Sequence, residues 1–172
     1  MSRNVLVSSA GLLCVKLSDM GMARTLSTSP YYHKVSNDKI PVRWMAPESV
    51  EHRKYSTKSD VWSFGVLVWE VLSRGALPFQ ELTAEGAVSA VLRGQRLAQP
   101  PECPDPLFAC CCDVLWSDDG SYSLMQDCWR HESSERPEWD EIVDVCSATK
   151  SMVERKKGVL RVVVLNEDET HI

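Results

Sequence analysis

The sequence predicts a mainly α-helical domain that carries one small β-hairpin near its start. The segment "STKSDVWSFGVLVWEVLSRG", from Ser56 to Gly75, repeats Val61, Phe64, Leu67, Val68, Val71 and Leu72 at three-and-four spacing. Two later stretches, "YSLMQDCWR" from Tyr122 and "EWDEIVDVCSATKSMVERKK" from Glu138, keep helical spacing too. Against these helices stand two short strand-like runs, "NVLVS" at 4–8 and "LCVKL" at 13–17.

Taken in chain order, the two runs flank Ser8-Ser9-Ala10-Gly11, which suits the turn of a hairpin. From Gly21 to about Ile40 the chain is rich in Ser, Thr, Asn, Tyr and Lys, contains Pro30, and has neither period. It reads as a long surface loop, and long ordered loops tend to be functional. In the helix from Ser56, Trp62, Val66 and Trp69 fill most of the face that an amphipathic helix leaves polar. Such a helix is nearly surrounded and belongs at the centre of a domain. Gly75 and Pro78 end it. "TAEGAVSAVLRG" from Thr83 is a shorter helix closed by Gly94, and "QPPECPDP" from Gln99 is a loop punctuated by proline. The last two helices are separated by the polar turn "HESSERP", and no internal repeat is visible.

The 172 residues are 44% hydrophobic and 25% charged, the balance of one soluble globular domain. A net charge of −5 gives no general attraction to nucleic acid or to anionic membranes. No apolar stretch reaches the roughly 18 residues of a membrane span, and the start lacks the layout of a signal peptide, so the chain as given reads as cytoplasmic. Seven cysteines, an odd number, lack the paired spacing of zinc or redox sites and read as reduced thiols.

Three short signals follow one another: Asn4 before the first strand, "SDMG" (Ser18 to Gly21) after the second, and "APE" (Ala46 to Glu48) closing the long loop. Together with "IPVRWMAPES", "SDVWSFGVLVWE" and "CWRHESSERP", they resemble the C-terminal lobe of the protein kinase family, and specifically the tyrosine kinases. The fold class this implies is a protein-kinase-like C-terminal lobe with a small β-hairpin, an incomplete domain. It would cover residues 1–150 and be followed by a tail at 151–172.

Phosphoryl transfer needs Mg²⁺ bridging the nucleotide phosphates and a nucleophile held in line. Hard cations take oxygen ligands, so Asn4 and Asp19, at the two ends of the hairpin, are the metal candidates. The resemblance implies ATP and Mg²⁺ as cofactors. It implies that Arg3 helps orient a substrate phenol, while Pro41, Val42 and Trp44 support the incoming tyrosine as a rigid apolar shelf. Tyr31 and Tyr32 fall where an activating phosphorylation is expected, a modification that brings about −1.5 to −2 charge. Glu48 and Arg136 resemble a buried ion pair that ties the end of the activation segment to the last helical layer. Asp60 resembles the acid that accepts backbone hydrogen bonds from the catalytic loop.

The chain also departs from the pattern. Methionine stands at position 20, where the family commonly has phenylalanine. In H-R-D-L-x-x-x-N the general-base aspartate precedes the asparagine by five positions, which places it two residues upstream of Met1. No catalytic residue of that kind is expected in the chain, and no glycine-rich loop or strand lysine stands elsewhere in it. The chain alone is therefore expected to be inactive and poorly soluble. "FACCCDVLWSDDGS" (108–121) reads as an insertion. The ending Thr170-His171-Ile172 has the form that extended-peptide modules capture. The expected partners are protein tyrosine substrates or signalling proteins, and the parent is either a membrane receptor bearing this part on its cytoplasmic side or a non-receptor kinase. The alternative is a non-catalytic pseudokinase or truncated isoform that acts as an interaction protein.

Overall fold

The two N-terminal runs form β1 (Val5–Ser8) and β2 (Cys14–Leu17), paired antiparallel with Val5 opposite Leu17 and Ser8 opposite Cys14. A short 3-10 turn, Ser2–Asn4, leads into β1, and another, Met20–Met22, follows β2. These positions come from a computed structural model, which describes residues 2–8, 14–26, 29–33, 40–100 and 120–147.

The loop after the hairpin differs from its sequence reading at one place. Tyr32–His33 (β3) pairs antiparallel with Lys54–Tyr55 (β4), Tyr32 opposite Tyr55 and His33 opposite Lys54. A two-residue bridge has no period of its own, so only its partner reveals it. Between these strands lie a 3-10 turn over Val42–Trp44 and the short helix α1 (Pro47–His52), which has proline in its first turn, where no backbone donor is required.

The central helix α2 (Thr57–Leu72) begins at a capping box built from two serines. The Ser56 hydroxyl accepts from the Ser59 amide, and the Ser59 hydroxyl accepts in turn from the Ser56 amide at 2.8 Å. Gly75, with φ +84°, closes the other end by donating to the Glu70 carbonyl at 2.7 Å. Val61, Trp62, Gly65, Val66, Glu70 and Leu72 are buried, and Phe64, Val68 and Trp69 pack partly buried against the same core. On α2, Val71 is the exposed large hydrophobe among the described residues; greater exposure lies on the hairpin, at Leu6, Val7 and Leu17.

Helix α3 (Ala84–Leu92) is capped by the Thr83 hydroxyl, which accepts from the Gly86 amide, and Gly94 follows it at φ +86°. Helix α4 (Gly120–Cys128) lies against α2, and α5 occupies 139–147. The two helices come close at Gly65, where a Cβ would stand 2.8 Å from the Cys128 Cβ and from the Trp129 Nε1. Only glycine permits that contact. The polar turn between α4 and α5 contains a 3-10 turn at Ser133–Glu135. Most of the expected insertion, residues 108–119, and the whole tail 151–172, including Thr170-His171-Ile172, lie outside the described residues.

Candidate functional site

The hairpin brings its two ends together. Asn4 directly precedes β1 and Asp19 lies just past β2, and the Ser18 amide and hydroxyl both donate to the Asn4 carbonyl, at 2.9 and 3.0 Å. The Asn4 Nδ2 then donates to the Asp19 Oδ2 at 3.3 Å. Asp19 sits in the left-handed region, φ 65° and ψ 58°, a conformation uncommon for a residue with a side chain and found often at functional loops. One carboxamide oxygen and one carboxylate are hard donors, which suits Mg²⁺ in ligand chemistry. Among the described residues no group of three or more His, Cys, Asp and Glu side chains forms a cage. A cation here would complete its shell with phosphate and water, as Mg²⁺ commonly does.

Arg3, on the same turn as Asn4, is exposed. Pro41 starts the 3-10 turn Val42–Trp44 with φ −79°, and the three apolar residues Pro41, Val42 and Trp44 are half-buried. The turn is held from three sides. Trp44 donates through Nε1 to the Glu70 Oε2 at 2.8 Å, and the Ser63 hydroxyl donates to the Trp44 carbonyl at 2.8 Å. Arg43 donates to the carbonyls of Pro78, Phe79 and Leu82 at 2.8, 2.7 and 2.6 Å. Sequence reasoning did not single out Glu70, Ser2 or Arg43. For Glu70 the signal was present: one acid inside the apolar run "VLVWEVL".

Tyr31 and Tyr32 stand exposed beside β4. The Lys54 Nζ lies 4.3 Å from the Tyr31 ring centroid, the edge of His33 meets Tyr31 at 5.2 Å, and Tyr32 lies 6.4 Å from Tyr55. The Tyr55 hydroxyl is buried without a hydrogen-bond partner among the described residues, and its pKa is raised, first by burial and then by Tyr32, against the opposing pull of Arg53.

Arg136 is 2% exposed and forks onto Glu48, with Nη1 to Oε1 at 2.7 Å and Nη2 to Oε2 at 2.8 Å. Its remaining donors reach the carbonyls of Arg130, Lys58 and His131, and its guanidinium stacks 5.1 Å from the Trp62 ring. The fork ties α1 to the turn before α5.

Residues 1–146 match the family described as protein tyrosine and serine/threonine kinase. The chain belongs to this protein kinase family. It is 41% identical over 145 residues to the human ephrin type-A receptor 5, covering 84% of this chain and 12% of the receptor. With the chicken ephrin type-A receptor 5 it shares 37% over 171 residues, 95% of this chain and 15% of that protein. With the chicken ephrin type-A receptor 7 it shares 38% over 145 residues, 84% and 13% respectively. The chain thus spans about an eighth of the length of these curated relatives. The expected tyrosine-kinase C-terminal lobe, mainly helical with a small hairpin, is what the fold presents.

Two features qualify this kinase lobe. Met20, in the middle of Asp19-Met20-Gly21, is 61% exposed, so it fills no pocket among the described residues. Asp60, at the start of α2, accepts no hydrogen bond among the described residues. Although part of the residue is open to solvent, the protein around its carboxyl desolvates it and pushes its pKa up. Among the described residues no helix is long and apolar enough to cross a membrane.

Proposed function

We propose that the chain is part of an ATP-dependent protein tyrosine kinase in which Asn4 and Asp19 ligate Mg²⁺, and that the 172 residues alone transfer no phosphate. In this reading Arg3 and the Pro41, Val42 and Trp44 shelf receive a protein tyrosine, and Tyr31 and Tyr32 take the activating phosphate. Glu48 and Arg136 hold the activation segment against the helical body, and Asp60 supports the catalytic loop. The parent is a membrane receptor with this part on the cytoplasmic side, and 151–172 is a tail outside the kinase lobe.

The observation that carries the reading is the 3.3 Å approach of Asn4 to Asp19 across the hairpin. It brings the Asn4 carboxamide, through its nitrogen, against the Asp19 carboxylate, so that a turn of the amide would offer a cation two neighbouring oxygens of the right hardness, with Arg3 on the adjoining turn. Bound there, Mg-ATP would supply the γ-phosphoryl group and the neutralisation of its charge. The chain's own residues would orient the cation and the phenol. The sequence holds no His-Arg-Asp triplet to accept the phenol proton, no glycine-rich loop and no V-A-I-K-type lysine, which supports inactivity of this chain by itself.

The reading is tested with Mn²⁺ as a paramagnetic probe on the isotopically labelled 172-residue chain. The expected result is early broadening of the Asn4 and Asp19 amide signals, abolished by Asp19→Ala. Broadening spread evenly over the acidic surface would contradict it. A second reading, an interaction protein without catalysis, is favoured by the exposed Met20 and by the exposed Leu6, Val7 and Leu17 on the hairpin. Specific Mn²⁺ binding at the hairpin would favour the first reading over this one.

A further inference from the structure

Glu70, in the last turn of α2, is a buried acid, 7% exposed, on a helix whose other buried positions are apolar or small. Burying a carboxylate is costly unless hydrogen bonds replace its water. Here they come from two separate parts of the chain. Oε1 accepts from the Ser2 amide at 3.2 Å and from the Ser2 hydroxyl at 2.7 Å; Oε2 accepts from the Trp44 indole at 2.8 Å. The first part is the turn that carries Arg3 and Asn4, and the second is the turn that forms the apolar shelf.

We infer that Glu70 is a positioning residue, a buried carboxylate that locks the turn bearing the metal candidate Asn4 to the shelf bearing the substrate contacts. This inference rests on the kinase reading above for what the two turns do, and on the hydrogen bonds alone for their coupling.

The chemistry explains why an acid stands there. The Ser2 amide, the Ser2 hydroxyl and the Trp44 indole all donate, so both side-chain oxygens must accept. A glutamine that turned its NH₂ toward Ser2 could still donate to the hydroxyl but would face the Ser2 amide donor to donor, and one that turned it toward Trp44 would lose the indole bond, so either way one bond is lost. Charge-assisted bonds are also shorter and stronger than neutral ones, which suits a joint between two short turns that have little ladder of their own. Rigidity comes from α2: Glu70 is in its last turn, and the Glu70 carbonyl is fixed by the Gly75 amide at 2.7 Å. The burial of Glu70 alone would raise its pKa. Hydrogen bonds, those from Ser2 and Trp44 among them, outweigh burial and leave the pKa lowered.

Amide hydrogen exchange on the full 172-residue chain tests the lock. Glu70→Gln is expected to speed exchange about tenfold in both residues 2–4 and residues 42–44, the loss expected for a charge-assisted bond, while amides in the middle of α2 and in α4 hold. Trp44→Phe keeps the ring and deletes the indole donor; it is expected to speed exchange at Asn4, which Trp44 is not bonded to, by severalfold. Acceleration confined to one turn, or equal acceleration throughout the chain, would overturn the inference. If Glu70→Gln does not fold, the Trp44→Phe effect at Asn4 decides. A functional readout accompanies it: Mn²⁺ broadening of the Asn4 amide should need about tenfold more metal in Glu70→Gln than in the unaltered chain. Coupled exchange without any Mn²⁺ binding would leave the lock standing and remove the metal reading; Mn²⁺ binding that Glu70→Gln and Trp44→Phe leave unchanged would remove the positioning role.

Discussion

Two acids of the same helix, Asp60 and Glu70, titrate in opposite directions, and each direction follows from its hydrogen bonds. Glu70 is buried but bonded from Ser2 and Trp44, so its pKa is lowered in the folded state; its stabilisation is present above the ordinary carboxylate pKa and lost as pH falls through the folded value. Asp60 has no donor among the described residues and is raised by desolvation. Its charge therefore costs stability at neutral pH, and that cost disappears as pH falls through its folded pKa. Asp60→Asn is expected to raise Tm at pH 7 and Glu70→Gln to lower it, with both differences shrinking on acidification; thermal unfolding at neutral and acidic pH checks the signs. The Arg136 fork is the other residue-scale test. Arg136→Leu strands the half-buried Glu48, so it should cost about 3–5 kcal/mol in urea unfolding. At this scale the sequence named Glu48, Arg136, Asn4 and Asp19 through their motifs, but Glu70 finds its partner Ser2 at a separation of 68 residues. No local period encodes such a meeting.

Among the elements, those long enough to carry a pattern of their own were readable and the two-residue strands were not. α2, α3 and α4 lie where the three-and-four spacing puts them, because each buries a face against the same core and the period records that face. The hairpin was readable from two apolar runs around a turn. β3 was not, since two residues beside β4 cannot show alternation. The contact of α4 with α2 was hidden for a different reason: Gly65 looks like a weak point in a helix until Cys128 and Trp129 are seen against it. Gly65→Ala gains helix propensity, yet its Cβ would enter the space of both neighbours. A net loss of about 1–3 kcal/mol is expected in chemical unfolding. An unchanged or raised stability would mean that the two helices are farther apart than described. The thiol at this contact is inert for the same reason: burial, with Asp127 and Cys146 nearby, pushes the Cys128 pKa up to about 12.

Across the whole molecule, α2 is the element that organises the others. Its N-terminal half meets the Arg136 fork through the Lys58 carbonyl and the Trp62 ring, and its last turn holds Ser2 and Trp44 through Glu70. The proposed metal pair and substrate shelf are thus attached to one buried helix, while the hairpin leaves Leu6, Val7 and Leu17 exposed. The kinase family was legible from linked motifs spread over most of the chain, and the match over residues 1–146 agrees. Less legible was the joint through Glu70, because its carboxylate bonds two turns that lie far from it in the chain. The central claim is that these residues arrange metal and substrate without completing the reaction. It is tested by incubating the purified 172-residue chain with Mg-ATP and a tyrosine-containing peptide and measuring phosphotyrosine. The account predicts none above a control lacking the chain. Phosphotyrosine that forms with the unaltered chain and disappears with Asp19→Ala would contradict it.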